Sequence, residues 1–180
     1  RDGSRLENPI FTPTTKTDVG HDIDIPRDRV EVHYGPEPEQ LSLVLYRRAR
    51  DYALDHGYIL ADTKFEFGYR PGDDKRRLVV ADELLTLDSS RYWLFQEWEQ
   101  ASAVGRSPEA RDKQIVRNCG KSIGINTRNP ATPKDVEWVH AQVVPQDILN
   151  KTTRVYHETL DGLFDVSLAE FKRHDLQIAV

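Results

Sequence analysis

One cysteine and no methionine stand among 180 residues, and each scarcity narrows what the chain can be. With Cys119 alone, no disulfide can close within the chain and a zinc site built on cysteines is excluded. No apolar run approaches the roughly twenty residues needed to span a bilayer. The segment Arg1-Asp2-Gly3-Ser4-Arg5 lacks the apolar stretch of a secretory signal. These absences point to the cytoplasm and away from a membrane partner. Positive charge is also short: 25 Lys and Arg stand against 30 Asp and Glu, for a net charge of -5. No dense basic stripe offsets that excess, which argues against nucleic acid as a partner. The cluster of Arg70, Lys75, Arg76 and Arg77 is interrupted by Asp73 and Asp74 and reads as a solvated hairpin tip. The lack of an initiator Met implies that the chain as given begins inside a longer reading frame.

What is present suits one core. Apolar residues make up 38% and charged residues 31%, the balance of a globular chain too short for two comfortable domains. Residues 1–35, punctuated by Pro9, Pro13, Gly20, Pro26 and Gly35, read as loops with short extended pieces. Residues 36–56 read as a helix, with Leu41, Val44, Leu45, Ala49, Tyr52 and Ala53 at helical spacing. Glu37 and Glu39 suit its positive end, and Gly57 suits its stop. A short helix is expected near residues 112–117, a long irregular excursion over 118–143, a helix from Pro145 to about Gly162, and a last short helix over 167–173.

The most informative stretch is Asp62-Thr63-Lys64-Phe65-Glu66-Phe67-Gly68. In a strand, successive side chains alternate faces, so Asp62, Lys64 and Glu66 share one side while Thr63, Phe65 and Phe67 share the other. Such alternation is ordinary in a half-exposed sheet, but three charges on one face also suit the border of a polar cleft. Val79-Val80-Ala81-Asp82-Glu83-Leu84-Leu85 offers a second strand. The turn formers between the two stretches predict an antiparallel pairing of 58–68 with 77–85, backed by the 37–56 helix, in an α+β architecture. That hairpin would set Glu66 across from Asp82. Two opposed carboxylates repel, and Mg²⁺, commonly held by one or two carboxylates plus phosphate oxygens, would relieve the repulsion.

Several segments together resemble the SAICAR synthetase (phosphoribosylaminoimidazole-succinocarboxamide synthase) family. They are Pro9-Ile10-Phe11-Thr12-Pro13-Thr14-Thr15-Lys16, His21-Asp22, the stretch from Ile59 to Gly68, Ala81-Asp82-Glu83, Asp88-Ser89-Ser90-Arg91, Asp112-Lys113-Gln114 and Pro145-Gln146-Asp147-Ile148. The resemblance implies an ATP-grasp- or kinase-like C-terminal catalytic lobe over residues 1–165, followed by a tail at 166–180. It further implies ATP-dependent ligation of aspartate to carboxyaminoimidazole ribonucleotide, through an acyl phosphate, in de novo purine biosynthesis. By the same resemblance Glu66 and Asp82 hold Mg²⁺ on the ATP phosphates, Lys16 faces phosphate, and Lys64 neutralises charge at the reacting carboxylate. Ser89, Ser90 and Arg91 receive the ribotide phosphate, while His21, Asp22 and Lys113 line the substrate site. Asp88 either contacts the imidazole amine or fixes its loop as a turn former.

The pattern also departs from the family. Ile23-Asp24 stands where Glu-Asn is usual, Leu87 where proline is usual, and Asn118-Cys119-Gly120 where an acidic, Trp-bearing stretch is usual. The family's N-terminal lobe, with its glycine-containing loop over ATP, lies ahead of the point where this chain starts. A non-catalytic nucleotide- or partner-binding module derived from the same lobe is therefore the alternative reading.

Overall fold

The computed structural model describes residues 3–16, 22–74 and 76–177. Its architecture is α+β, with two separate two-stranded antiparallel sheets among helices. No helix among the described residues is long and apolar enough to cross a membrane.

Helix α1 spans Arg27–Tyr34 and α2 spans Glu37–Asp55. Glu37 and Glu39 occupy the first turn of α2, where carboxylates meet the positive end of the helix dipole. The chain leaves α2 through Gly57, whose φ of 78° lies in the left-handed region that glycine enters without penalty. It then enters strand β1, Tyr58–Thr63, on which α2 packs. The Tyr46 hydroxyl of α2 donates to the Leu60 carbonyl at 2.9 Å.

Strand β1 pairs with β4, Ser90–Leu94, setting Tyr58 opposite Leu94, Leu60 opposite Tyr92 and Thr63 opposite Ser90. Alternation along β1 turns Tyr58 and Leu60 inward, and with Ala53, Tyr92 and Leu163 they form the main core cluster. Leu163 belongs to helix α6, Gln146–Leu163, which approaches β1 so closely at Gly162 that a Cβ there would meet the Tyr58 ring. Helices α3 (Phe95–Ala103), α4 (Gln114–Ser122), α5 (Pro133–His140) and α7 (Leu168–His174) complete the chain. Helix α7 starts on a capping box in which Ser167 and Glu170 satisfy each other's backbone N–H.

The sheet differs from the sequence expectation. Residues 58–68 do not make one strand: β1 ends at Thr63, and β2, Glu66–Tyr69, begins a second sheet with β3, Leu78–Ala81. The register of β1 shifts between Leu60 and Asp62, and the Lys64 N–H donates to Ser89 at 2.8 Å as the strand leaves β4. The aromatic face follows this break. Phe65 and Phe67 stay near each other, ring centroids 6.2 Å apart, but are only half-buried. Glu66 stands opposite Ala81, not Asp82. Strand β3 stops there because Asp82 turns to a φ of 63°. Helices α1, α3 and α5 occupy regions that sequence periodicity left as loop or mixed structure. Each is nine residues or fewer, and α1 buries Val30 while α3 and α5 bury nothing, so none carries a broad apolar stripe.

Candidate functional site

The Glu66 carboxylate gathers two cations. Lys16 Nζ lies 2.7 Å from both of its oxygens, and Lys64 Nζ lies 3.0 Å from Oε1. Lys64 also reaches Asp22 Oδ2 at 3.0 Å. Three chain segments thus converge. Lys64 and Glu66 lie two residues apart across the β1–β2 break. Lys16 and Asp22 come from two short stretches that lie antiparallel, with Thr14 bridging Asp24 and the Thr15 N–H donating to the Ile23 carbonyl at 2.9 Å. Hydrogen bonds from Lys16 and then Lys64 hold the Glu66 carboxyl below its ordinary pKa. The same contacts raise both ammoniums: Lys16 through Glu66, and Lys64 through Glu66 and then Asp22. Asp82 sits one residue past the partner of Glu66 and adds its field at Lys16.

A second group surrounds Arg91. Asp62 and Arg91 are cross-strand partners on β1 and β4, and their ion pair measures 3.1 Å. Arg91 also borders a cleft of about 750 Å³ whose walls include Trp93, Gln114, Ile148 and Lys151. Asp112 is only 5% exposed; burial raises its carboxyl pKa, while Arg91 opposes and Asp62 reinforces that rise. Its Oδ1 accepts the Gln114 N–H at 2.6 Å and so satisfies the start of α4. Asp88 accepts the Tyr156 hydroxyl at 2.7 Å, which ties the loop before β4 to α6. Burial, then this bond, drives the Tyr156 phenol well above its ordinary pKa.

The expected site residues thus divide between two neighbourhoods. Lys16, Asp22, Lys64 and Glu66 meet directly, with Asp82 beside them; His21 lies outside the described residues. Arg91 lies in the second group, and Lys113 sits at the N-cap position of α4. The serines serve the fold as well. Ser90 is buried in β4 with its hydroxyl 2.8 Å from Thr63 Oγ1. Ser89 Oγ accepts the Thr86 N–H at 3.1 Å. Three contributions escaped sequence reasoning. Asp62 is expected on the charged face with Lys64 and Glu66, but its pairing with Arg91 is not. Asp112 belongs to the Asp112-Lys113-Gln114 motif without a role of its own there, and Tyr156 falls inside the helix expected over 145–162, where nothing in the sequence marks its hydroxyl.

Among the described residues, no group of three or more His, Cys, Asp or Glu side chains is arranged to hold a metal ion. The donor set fits a narrower task. Glu66 is already paired with a cation, the Lys16 ammonium, and the charge of Asp82 acts on that ammonium through space, so a metal held here would draw further donors from a phosphate-bearing ligand and water.

The chain is similar to known proteins over most of its length. The SAICAR synthetase family model matches residues 1–133. The phosphoribosylaminoimidazole-succinocarboxamide synthase of Polaromonas sp. is 38% identical over 172 residues, covering 91% of this chain and 53% of that protein. The enzyme of the same name from Leptothrix cholodnii is 40% identical over 167 residues, covering 89% of this chain and 52% of its own length. The SAICAR synthase of Saccharomyces cerevisiae, solved in complex with SAICAR, superposes with a TM-score of 0.66 at 31% identity. That match takes in 91% of this chain and 49% of the yeast one. The chain spans about half the length of the curated relatives it matches.

Proposed function

Because the chain belongs to the SAICAR synthetase family, we propose that it forms the metal- and ribotide-binding part of an ATP-dependent ligase of purine biosynthesis. The reaction joins aspartate to carboxyaminoimidazole ribonucleotide. A carboxylate is a poor electrophile because its leaving group would be oxide. Transfer of the γ-phosphoryl group of ATP to a carboxylate oxygen releases ADP and makes an acyl phosphate. The aspartate amine then attacks the acyl carbon, the C–O bond to phosphate breaks, and the nitrogen loses a proton to give the amide.

The observation that carries this reading is the Glu66 cluster, where a carboxylate and two ammoniums meet on one exposed face. Phosphoryl transfer depends mainly on positioning and charge neutralisation, which such a face supplies. Lys64 neutralises the substrate carboxylate or the phosphoryl oxygens, and its pairing with Asp22 and Glu66 keeps it charged and oriented. Lys16 faces the nucleotide phosphates. Glu66 and Asp82 are the residues that would hold Mg²⁺, which when bound supplies positive charge against the phosphate oxygens. Arg91 offers a planar fork for the ribotide phosphate, with Ser89 beside it. Asp62 holds that fork when no phosphate is bound. Asp88, anchored by Tyr156, fixes the loop, while His21, Asp22 and Lys113 contribute to substrate contacts. The rest of the relatives' length is assigned to covering the nucleotide, so water exclusion requires that part.

The test is aspartate- and ribotide-dependent ADP release by the 180-residue chain, with and without the remaining part of a relative supplied as a separate polypeptide. Turnover is expected in the supplemented reaction and should fall at least a hundredfold with Lys64→Met, the scale on which loss of a transition-state charge contact is felt. Full activity of Lys64→Met would reject its catalytic role. Mg-dependent ADP binding without turnover in the supplemented reaction would favour a non-catalytic nucleotide-binding module.

A further inference from the structure

We propose that Lys16 is a built-in counter-cation: it occupies the metal position of Glu66 and gives it up only when a divalent cation arrives together with phosphate. This rests on the reading of Glu66 and Asp82 as metal-holding acids. Three observations support it. The Lys16 ammonium sits 2.7 Å from each Glu66 oxygen, so it spans the carboxylate as a bidentate cation does. The two lysines are not equivalent. Lys64 is shared between Glu66 and Asp22, whereas both hydrogen bonds from Lys16 go to the one carboxylate. The Lys16 side chain is also 65% exposed and Glu66 only 21%, so the lysine can swing into solvent while the acid stays in place.

The charge balance gives the device a purpose. Glu66 and Asp82 would repel across the end of the β2–β3 pairing, and Lys16 removes that repulsion before any ligand binds. A divalent cation alone must displace an ammonium from the same oxygens, so its binding is opposed. A divalent cation carrying phosphate gives the displaced ammonium a new anionic partner beside the old one, so its binding is favoured. Lys16 thereby selects metal–nucleotide over free metal. It acts here as a positioning residue, and metal affinity measured without turnover reports that role directly.

The test is Mn²⁺ binding to the full 180-residue chain in the absence of nucleotide, read from the loss of the free-ion electron spin resonance signal. Lys16→Met and Lys16→Gln should each tighten Mn²⁺ binding by roughly fivefold, the upper range for loss of an exposed ion pair. Adding Glu66→Gln to either variant should abolish the gain. Mn²⁺ binding that is unchanged or weaker in both variants, or a gain that survives Glu66→Gln, overturns the proposal. So does the absence of binding in every form of the protein. A parallel titration with Mg-ADP separates this outcome from the functional reading. If Glu66→Gln leaves Mg-dependent ADP binding intact, the metal-site reading fails; if it removes that binding but the Lys16 variants show no Mn²⁺ gain, only the counter-cation proposal fails.

Discussion

Strands β1 and β4 bury Tyr58, Leu60, Tyr92 and Trp93, whereas no residue of β2 or β3 is buried and their surface carries Glu66. The first pair is held by aromatic and aliphatic burial between α2 and α6. The second is a hairpin of four-residue strands, a size that is marginal in water by itself, fastened at Glu66 by charges from elsewhere in the chain. One segment, from Asp62 to Glu66, joins the two. The difference sets the buried core residues apart from the charged Glu66 cluster proposed to meet ligand, so each can be perturbed with limited effect on the other.

The largest separation is expected at Leu60, which is 1% exposed in the β1–β4 core. Leu60→Ala should cost about 2–5 kcal/mol by losing buried methyl groups and leaving a cavity. Urea unfolding measures this as a lower midpoint with an unchanged slope. A loss below about 1 kcal/mol would mean that this core is not the stabilising centre, because such a value suits a position that can collapse around the gap.

A smaller effect, of opposite sign, is expected at Asp112. Burial raises its pKa above that of the unfolded chain, so between the two values the native state binds more protons. Stability from this group is therefore greatest below the unfolded pKa and falls as pH rises through the folded one. Asp112→Asn keeps an acceptor for the Gln114 N–H and removes the buried charge. It should raise the melting temperature near neutral pH, and the gain should shrink in acid as native Asp112 becomes protonated. A gain that is constant with pH would show that the charge is not responsible.

The smallest effect belongs to the ion pairs of the hairpin. A double-mutant cycle on Lys64→Met and Glu66→Gln should return about 0.2–1 kcal/mol of coupling in stability, the range for exposed pairs. The Lys64 side chain is 53% exposed, so solvent screens most of the attraction. A coupling above about 2 kcal/mol would erase the contrast between the two sheets, since only a desolvated pair reaches that size.

Sequence legibility followed the same division. Helix α2, helix α6 and the capped α7 lie close to where periodicity and end signals put them, because each has an apolar stripe or a capping pair encoded locally. The Lys64–Glu66 contact was legible from their closeness in sequence: the two side chains meet at 3.0 Å, although the single strand that alternation assumed is broken just before Glu66. Strand pairing was less legible. The turn-rich stretch between Tyr69 and Arg77 correctly suggests a hairpin but leaves the first strand's length open, and the β1–β4 pairing is a long-range choice.

Local chemistry in the sequence therefore determined the main helices, the contact of Lys64 with Glu66, and family membership through ordered motifs. Tertiary structure alone decided that β1 would leave β2 to pair with β4, that Lys16 would claim Glu66 from fifty residues away, and that Tyr156 would hold Asp88 across sixty-eight. The physical reason is range. Periodicity and capping act within a few turns of chain, whereas the closure of distant segments depends on which apolar surfaces bury one another and which charges are left facing once they have.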